Sequence, residues 1–198
     1  MSALRPVRGV GLAATILIGV VALAKILLAA LVWTVHDADV LTPLGAAVWD
    51  SLNLIWMVAF LGAGGAFMVW LDRARQISVA MMGADQHRFT KAWVYAGWFV
   101  PFANFYIPYA VVQDVWRGSD RSQAALGLPQ REISGVILVW WLCFLLSNVS
   151  VTLPQKDAVE LAVFATISAA LSVVAGVLAA RIIRQINDMQ IDDRQVVA

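Results

Sequence analysis

The chain has 198 residues, of which 61% are hydrophobic and only 14% are charged. A soluble domain carries about 25% charged residues, so this composition indicates a membrane protein. The formal net charge of +1 gives no global basic field that would attract nucleic acid. Cys143 is the only cysteine, which excludes an intrachain disulfide.

Four long apolar segments predict the transmembrane helices of an all-α bundle that forms a single membrane domain. They cover residues 10–35, 52–71, 133–153 and 159–183. The first segment is longer than the apolar core of a signal peptide, so we expect it to be retained. Residues 36–51 predict a polar connection, and the acidic tail at residues 187–198 is expected to be poorly ordered. Trp56 and Trp70 are predicted at the two ends of the second span, where aromatic belts lie.

The segment between the second and third spans, residues 93–116, contains nine aromatic residues and is interrupted by Pro101 and Pro108. A proline removes a backbone donor and pushes the preceding residue away from helical angles. We therefore predict two helical arms, at residues 93–100 and 108–116, joined by an irregular knee at residues 101–107. This aromatic segment either enters among the spans as a re-entrant hairpin or lies flat at the interface, and the sequence leaves both arrangements open.

The positions of lysine and arginine predict that both termini are cytoplasmic, because positive residues near a membrane stay on that side. With four crossings, one side holds both termini and the connection at residues 72–132. Twelve of the fourteen basic residues then lie on this side: Arg5, Arg8, Arg73, Arg75, Arg88, Lys91, Arg117, Arg121, Arg131, Arg181, Arg184 and Arg194. A fifth crossing by the aromatic segment would nearly abolish this bias. We therefore predict a multi-pass protein of the plasma membrane.

A pattern of tryptophan, proline and asparagine extends from the end of the second span through the aromatic segment. It reads Trp70-Leu-Asp-Arg-Ala-Arg75, Gly97-Trp-Phe-Val-Pro-Phe-Ala-Asn104, Ile107-Pro-Tyr109 and Val115-Trp-Arg117, with Trp98, Pro101, Pro108 and Trp116 as its most specific positions. This pattern resembles a bacterial membrane family catalogued as domain of unknown function 4328. One departure is Gln76 or Ile77, where an asparagine is expected. The resemblance implies a multi-pass protein of the bacterial inner membrane and no particular reaction.

Lys25 is the most conspicuous candidate for a functional residue. A charged side chain within a span is costly, and such residues mark functional sites by default. Structural anchoring is favoured over a role in solute or proton movement, because the long stem can extend towards the interface. Asn148 and Glu160, on the outer halves of the third and fourth spans, are its candidate partners.

Two further polar groups are candidates near the aromatic segment. At the knee, the side chain of Asn104 can satisfy backbone groups that the prolines leave unpaired. An interfacial turn residue is slightly favoured over a re-entrant loop that lines a polar path. Arg73, Arg75, Asp114 and Arg117 are predicted at the inner surface. Ion pairs that tie the second span to the second arm are favoured there over the binding of lipid head groups.

Small residues predict close packing of helices in two spans. Gly62 and Gly65 lie at the centre of the second span, where simple packing is favoured over a hinge or gate. In the fourth span, small residues recur every four positions and so share one helix face. They are Ser168, Ser172, Gly176 and Ala180.

The sequence contains none of the usual catalytic or cofactor-binding motifs. It has no glycine-rich phosphate loop between strand and helix, no His-Glu-x-x-His and no paired cysteines. The residues from His36 to Asp39 are better explained as a solvated loop than as a metal site. We therefore predict a protein that is not an enzyme and has no cofactor or metal. A scaffold or accessory subunit that binds lipid and a membrane protein or its own copy is favoured. A small oligomeric channel or transporter that uses the aromatic segment and Lys25 is the alternative.

Overall fold

The computed structural model describes residues 7–35, 43–123, 125–149 and 158–195. These residues form six α-helices and three short 3-10 turns and contain no strand, so the all-helical prediction is confirmed. The helices are α1 (Arg8–Val35), α2 (Pro43–Met82), α3 (Trp93–Ala96), α4 (Ile107–Ser119), α5 (Gly135–Val149) and α6 (Ala158–Gln195).

Among the described residues, three helices are long and apolar enough to cross a membrane, at Arg8–Thr34, Gly45–Met82 and Val159–Gln190. Large apolar side chains on these helices are exposed, among them Leu12, Leu61 and Val177. Such a surface suits contact with lipid and confirms a membrane-embedded protein. The predicted third span corresponds to α5, whose 15 residues extend about 22 Å. Its expected continuation at residues 150–153 lies outside the described part of the chain, so the fourth crossing stays a prediction.

The prediction of a polar connection at residues 36–51 is wrong for its second half, because α2 already begins at Pro43. Proline is favoured in the first helical turn, where its missing N–H costs nothing. Residues 36–42 lie outside the described part. At its other end α2 extends to Met82, as expected, and Gly83 ends it with a φ of 93°. Glycine adopts this left-handed conformation without the steric cost that a side chain would bring.

The expectation of a poorly ordered tail is wrong for residues 187–195, which continue α6. Asn187 and Gln190 are buried there and are bonded to α2. The indole Nε1 of Trp70 donates to Asn187 Oδ1 at 3.0 Å, and Gln190 Nε2 donates to the carbonyl oxygen of Ala74 at 2.9 Å. The tail is helical because its amide-bearing face packs against α2. Trp70 itself is fully buried, so its predicted place in an aromatic belt is also wrong.

The predicted break in the aromatic segment is confirmed, although the first arm is shorter than expected. Helix α3 ends at Ala96, turns follow through Phe102, and a 3-10 turn spans Ala103–Phe105 before α4. Phe102 has a φ of 64°, which is unusual for a residue with a side chain. Pro108 lies in the first turn of α4, where a proline is tolerated.

Contacts between chain segments far apart in sequence define one end of the bundle. The Arg8 and Asp188 side chains approach to 3.9 Å, which joins the start of α1 to the last part of α6. Gln190 Nε2 also donates to Ser119 Oγ, at the end of α4, at 2.8 Å. The start of α1 and the last turns of α2, α4 and α6 therefore meet. We call this the basal end of the bundle and the opposite one the distal end.

Candidate functional site

A cavity of about 320 Å³ lies between α2 and α5, with α1 and α6 behind it and residues 98–104 of the aromatic segment on one side. Ligand sites in proteins measure about 300–1,000 Å³, so this volume is at the small end of that range. Leu61 and Phe99 line it and are themselves 68% and 73% exposed. The cavity therefore opens sideways, on the lipid-facing surface, and we call it the lateral cavity.

Aromatic rings close the lateral cavity on its basal side. Phe67 of α2 meets Trp140 of α5 with ring centroids 5.6 Å apart, and Trp98 stands edge-on to Phe67 at 5.9 Å. Trp98 also contacts Trp141 at 5.7 Å and Phe144 at 6.1 Å, again edge-on. Such edge-to-face pairs add about 0.5–1.5 kcal/mol each beyond the burial of area. The motif residue Trp98 thus holds α2 and α5 together through its ring.

The knee of the aromatic segment lies beside α5. Trp141 Nε1 donates a hydrogen bond of 2.8 Å to the carbonyl oxygen of Phe105, within the 3-10 turn. Trp141 is six residues past the first residue of α5, about 9 Å along its axis. The indole thus satisfies one backbone acceptor of the broken segment. The sequence did not predict this role, because a tryptophan within an apolar span can lie in the protein core or at the membrane interface.

Lys25 lines the lateral cavity towards its distal side and connects three helices. Its Nζ donates to the carbonyl oxygen of Ser147 at 2.8 Å and to Ser168 Oγ at 3.2 Å. One of these acceptors is next to the predicted partner Asn148, whose own Nδ2 donates to Phe144 O at 2.7 Å, and the other lies two turns beyond Glu160 in α6. Lys25 is 9% exposed, and among the described residues no carboxylate forms an ion pair with it. It is therefore a buried cation with neutral partners.

Asn104 and Trp98 line the cavity, and each carries a buried polar atom. Asn104 Oδ1 and Trp98 Nε1 are both shielded from solvent, and neither has a hydrogen-bond partner among the described residues. The sequence predicted that an inserted Asn104 would meet a polar group of a neighbouring helix. Asn104 Oδ1 meets no such group among the described residues.

The predicted inner-surface ion pairs are replaced by a different one. Asp114 of α4 pairs with Arg88, whose Nη2 lies 2.7 Å from Oδ1, rather than with Arg73, Arg75 or Arg117. Arg88 Nε also donates to Oδ1 at 2.9 Å, and its backbone N–H donates to Oδ2 at 3.2 Å. Burial alone would lower the pKa of Arg88, but the hydrogen bond and charge of Asp114 outweigh it and raise that pKa. This pair fixes the connection after α2 onto α4.

Two of the other charged residues of the predicted group donate to backbone oxygens. Arg75 Nη2 donates to Phe89 O at 2.7 Å, and Arg117 Nε donates to Glu132 O at 3.3 Å. These contacts tie α2 and α4 to the connections that follow them. No spacing rule in the sequence distinguishes such a pairing with a loop carbonyl from an ion pair between helices.

The remaining motif prolines and tryptophan have separate surroundings. Pro101 is exposed in the turn after α3, while Pro108 is buried at the start of α4. Trp116 is half-buried, and its Nε1 has no partner among the described residues. Unlike Trp98, these three residues do not line the lateral cavity.

The small residues of α6 lie on two kinds of surface. Ser168 and Ser172 are buried, and an added Cβ at Gly176 would come within 3.2 Å of Ile18 Cγ2 in α1. Ala180 is only half-buried. The stripe thus faces α1 closely at Gly176 and turns partly outward one turn later.

The glycines of α2 also differ in their surroundings, since Gly62 faces α1 and Gly65 faces the lateral cavity. An added Cβ at Gly62 would meet Leu17 Cδ1 of α1 at 3.5 Å, an ordinary contact. At Gly64 and Gly65 a Cβ would meet nothing within 4 Å, and both residues line the lateral cavity. The glycine-rich centre of α2 therefore leaves space for the cavity as well as for packing.

The fold and the cavity together define an α-helical membrane protein with a cavity that opens beside exposed apolar side chains. The chain belongs to the family described as a domain of unknown function, DUF4328, whose model matches residues 42–188. The resemblance seen in the tryptophan and proline pattern is thereby confirmed. No curated protein and no solved structure matches the chain. The matched region contains α2 to α5, most of α6 and all of the lateral cavity except the part contributed by α1.

Proposed function

We propose that the protein is a non-catalytic membrane protein that binds a ligand within the bilayer and acts as an accessory or scaffold subunit. The observation that carries this proposal is the shape of the lateral cavity. The lateral cavity opens to the side and ends at the rings of Phe67, Trp98 and Trp140 instead of continuing along the bundle axis. A space of this form suits binding, whereas conduction requires a path that connects the two membrane faces.

The layer beneath these rings also favours binding over conduction. Gln113 Nε2 donates to Ser134 O at 2.8 Å, and the Ser134 N–H returns a bond to Gln113 Oε1 at 3.1 Å. Together with the contacts of Gln190 and of Asp114 described above, this bond pair joins the helices and connections at the basal end. We call this set of contacts the basal polar layer. Buried polar groups that bond one another in this way hold helices in place.

The proposed topology has four crossings, with α5 and its continuation as the third and the aromatic segment as a re-entrant hairpin. Its support is the position of the knee beside Trp141 and the contact of the start of α1 with the last part of α6. The twelve basic residues on that side favour a cytoplasmic location for both termini in the plasma membrane.

Labelling of single cysteines in a Cys143→Ala background tests the topology. A cysteine at Gln123, in the connection between α4 and α5, should stay unlabelled by a membrane-impermeant reagent in intact cells. Cysteines at Ala38 and Gln155 should react. Labelling at position 123 from outside would refute the arrangement.

Reconstitution tests the proposed function itself. Purified protein in sealed vesicles should produce no flux of ions or small solutes above that of empty vesicles, and it should co-purify in mild detergent with a stoichiometric partner or its own copy. Reproducible flux that depends on the protein would overturn the accessory role in favour of a small channel or transporter.

A further inference from the structure

The chemistry of the lateral cavity is unequal along its length. Its basal part is bounded by the aromatic rings described above and its middle by the bare backbone of Gly64 and Gly65, so this part suits an apolar chain. Its distal part contains Lys25, a cation without a charged partner among the described residues. A site with an apolar body and one charged end matches an amphiphile.

The ammonium group of Lys25 can donate one hydrogen bond more than the two it forms with described residues. A lysine carries three N–H donors, and two of these go to Ser147 O and Ser168 Oγ. Ser168 Oγ donates in turn to Ser147 O at 2.6 Å, so both neighbours are already engaged. An unpaired charge within a membrane is costly. An anion that approaches through the cavity would therefore supply an acceptor for the third donor and a charge that the described residues do not provide.

From this arrangement we propose that the lateral cavity binds a single-chain fatty acid as its carboxylate. The carboxylate lies against Lys25 and the chain runs past Gly64 and Gly65 towards Trp98. One cation with one free donor matches a monoanion better than a phosphate monoester, which carries more charge and more acceptors. The small volume favours one chain over two, and the opening beside Leu61 and Phe99 admits it from the bilayer. The proposal rests on the binding function proposed above and names its ligand class.

A photoactivatable long-chain fatty acid tests this assignment. The full-length protein is placed in nanodiscs of zwitterionic lipid, irradiated with the probe, and mapped by mass spectrometry. We expect cross-links within residues 60–68 and 140–148, the two segments of α2 and α5 that contribute residues to the cavity wall. The fatty alcohol with the same chain should label these peptides about tenfold less or weaker still, since it lacks the charge-assisted hydrogen bond to Lys25.

Matched variants separate the cavity from the rest of the lipid-facing surface. Gly65→Leu fills the cavity without a contact at its Cβ, and it should abolish labelling of the two segments. Gly19→Leu is the control, because a Cβ there also meets nothing within 4 Å while the residue does not line the cavity. It should label like the unaltered protein. Lys25→Met should reduce labelling by the acid to the level of the alcohol.

Even if Lys25→Met fails to fold, labelling of the unaltered protein by the fatty acid and by the fatty alcohol tests whether the cavity prefers a carboxylate. Equal labelling by the two probes, or labelling that persists in Gly65→Leu, would overturn the proposal. Stronger labelling by the corresponding alkyl phosphate would overturn it in favour of a phosphate head group. Flux in the vesicle assay would remove the non-conducting function but would leave these labelling results interpretable, so the two failures are distinguishable.

Discussion

The basal polar layer and the lateral cavity share α2 and α6, and they differ in how many of their buried polar groups are paired. In the basal layer, most amide and charged groups find partners on another helix or connection, as Gln113 does with Ser134 and Asp114 with Arg88, although Gln190 Oε1 has none among the described residues. Around the cavity, Asn104 Oδ1 and Trp98 Nε1 have no partner among the described residues, and Lys25 has only neutral ones.

This difference indicates where stability and function reside. Packing and paired polar groups lower the free energy of the folded state, whereas unfilled space and unpaired groups raise it. A region that retains such costs is a candidate for binding, because a ligand can relieve them. The basal layer is therefore expected to respond to substitution with large losses of stability. The cavity is expected to tolerate substitution and to lose ligand binding instead.

The largest effect is expected at Trp70, which is fully buried in the basal half. Trp70→Ala removes its packing on Phe67, at a centroid distance of 5.2 Å, and its bond to Asn187. We expect a loss of about 4 kcal/mol in the free energy of unfolding, measured by denaturation in mixed micelles. Val69→Ala, at a more exposed neighbouring position, is the control and should cost far less. Similar losses for both would mean that the basal packing is not specific.

A smaller effect is expected for the ion pair between Arg88 and Asp114. Asp114→Asn removes the negative charge that the guanidinium faces, and we expect a cost of about 2 kcal/mol, as for hydrogen bonds to charged groups. Asp188→Asn provides a comparison, because its pair with Arg8 is exposed on both sides and long at 3.9 Å. Exposed pairs contribute little, so its effect should be close to zero. Equal melting temperatures for the two variants would contradict the importance assigned to the pair.

Packing of α6 on α1 gives the next smaller effect. Gly176→Leu brings a side chain against Ile18 and should cost about 1–2 kcal/mol, which is typical of small interhelical terms. Gly65→Leu, which extends into the lateral cavity, should leave the melting temperature in detergent nearly unchanged. If Gly65→Leu destabilised the protein as much as Gly176→Leu, the cavity would be packed like the rest of the bundle.

The smallest effect is a pH dependence centred on His87, in the connection after α2. His87 Nε2 lies 3.0 Å from Ser78 Oγ, and burial lowers the pKa of its ring. Its other neighbours are the carbonyl oxygen of Gly83 and the charged groups of Arg75, Asp114 and Asp85. As the pH falls below about 6.5, His87 is therefore protonated in the unfolded chain before it is protonated in the folded one. The free energy of unfolding then decreases, by at most about 1.4 kcal/mol per pH unit.

Thermal unfolding in detergent at pH 7.5 and at lower pH measures this dependence of stability on pH. His87→Gln keeps hydrogen-bonding capacity without titrating, so its unfolding should be less sensitive to pH over the same interval. An identical slope for the variant would assign the pH dependence to other groups.

The sequence determined the class of the protein and the place where its backbone departs from helix. Long apolar segments can satisfy their backbone groups in a membrane only as helices, which is a local property of composition. Pro101 and Pro108 likewise act on their own neighbours, so the break between α3 and α4 was predictable. The family could also be recognised from the sequence, because the motif that carries the resemblance contains these two prolines.

The tertiary structure alone decided which polar groups meet and where space is left. The pairing of Arg88 with Asp114, 26 residues away, and the burial of Asn187 and Gln190 depend on how helices cross, which no local pattern encodes. The convergence of Lys25, Asn104 and Gly65 on one cavity has the same cause. A single side chain cannot specify a void, because a void arises only where the surfaces of several helices fail to meet.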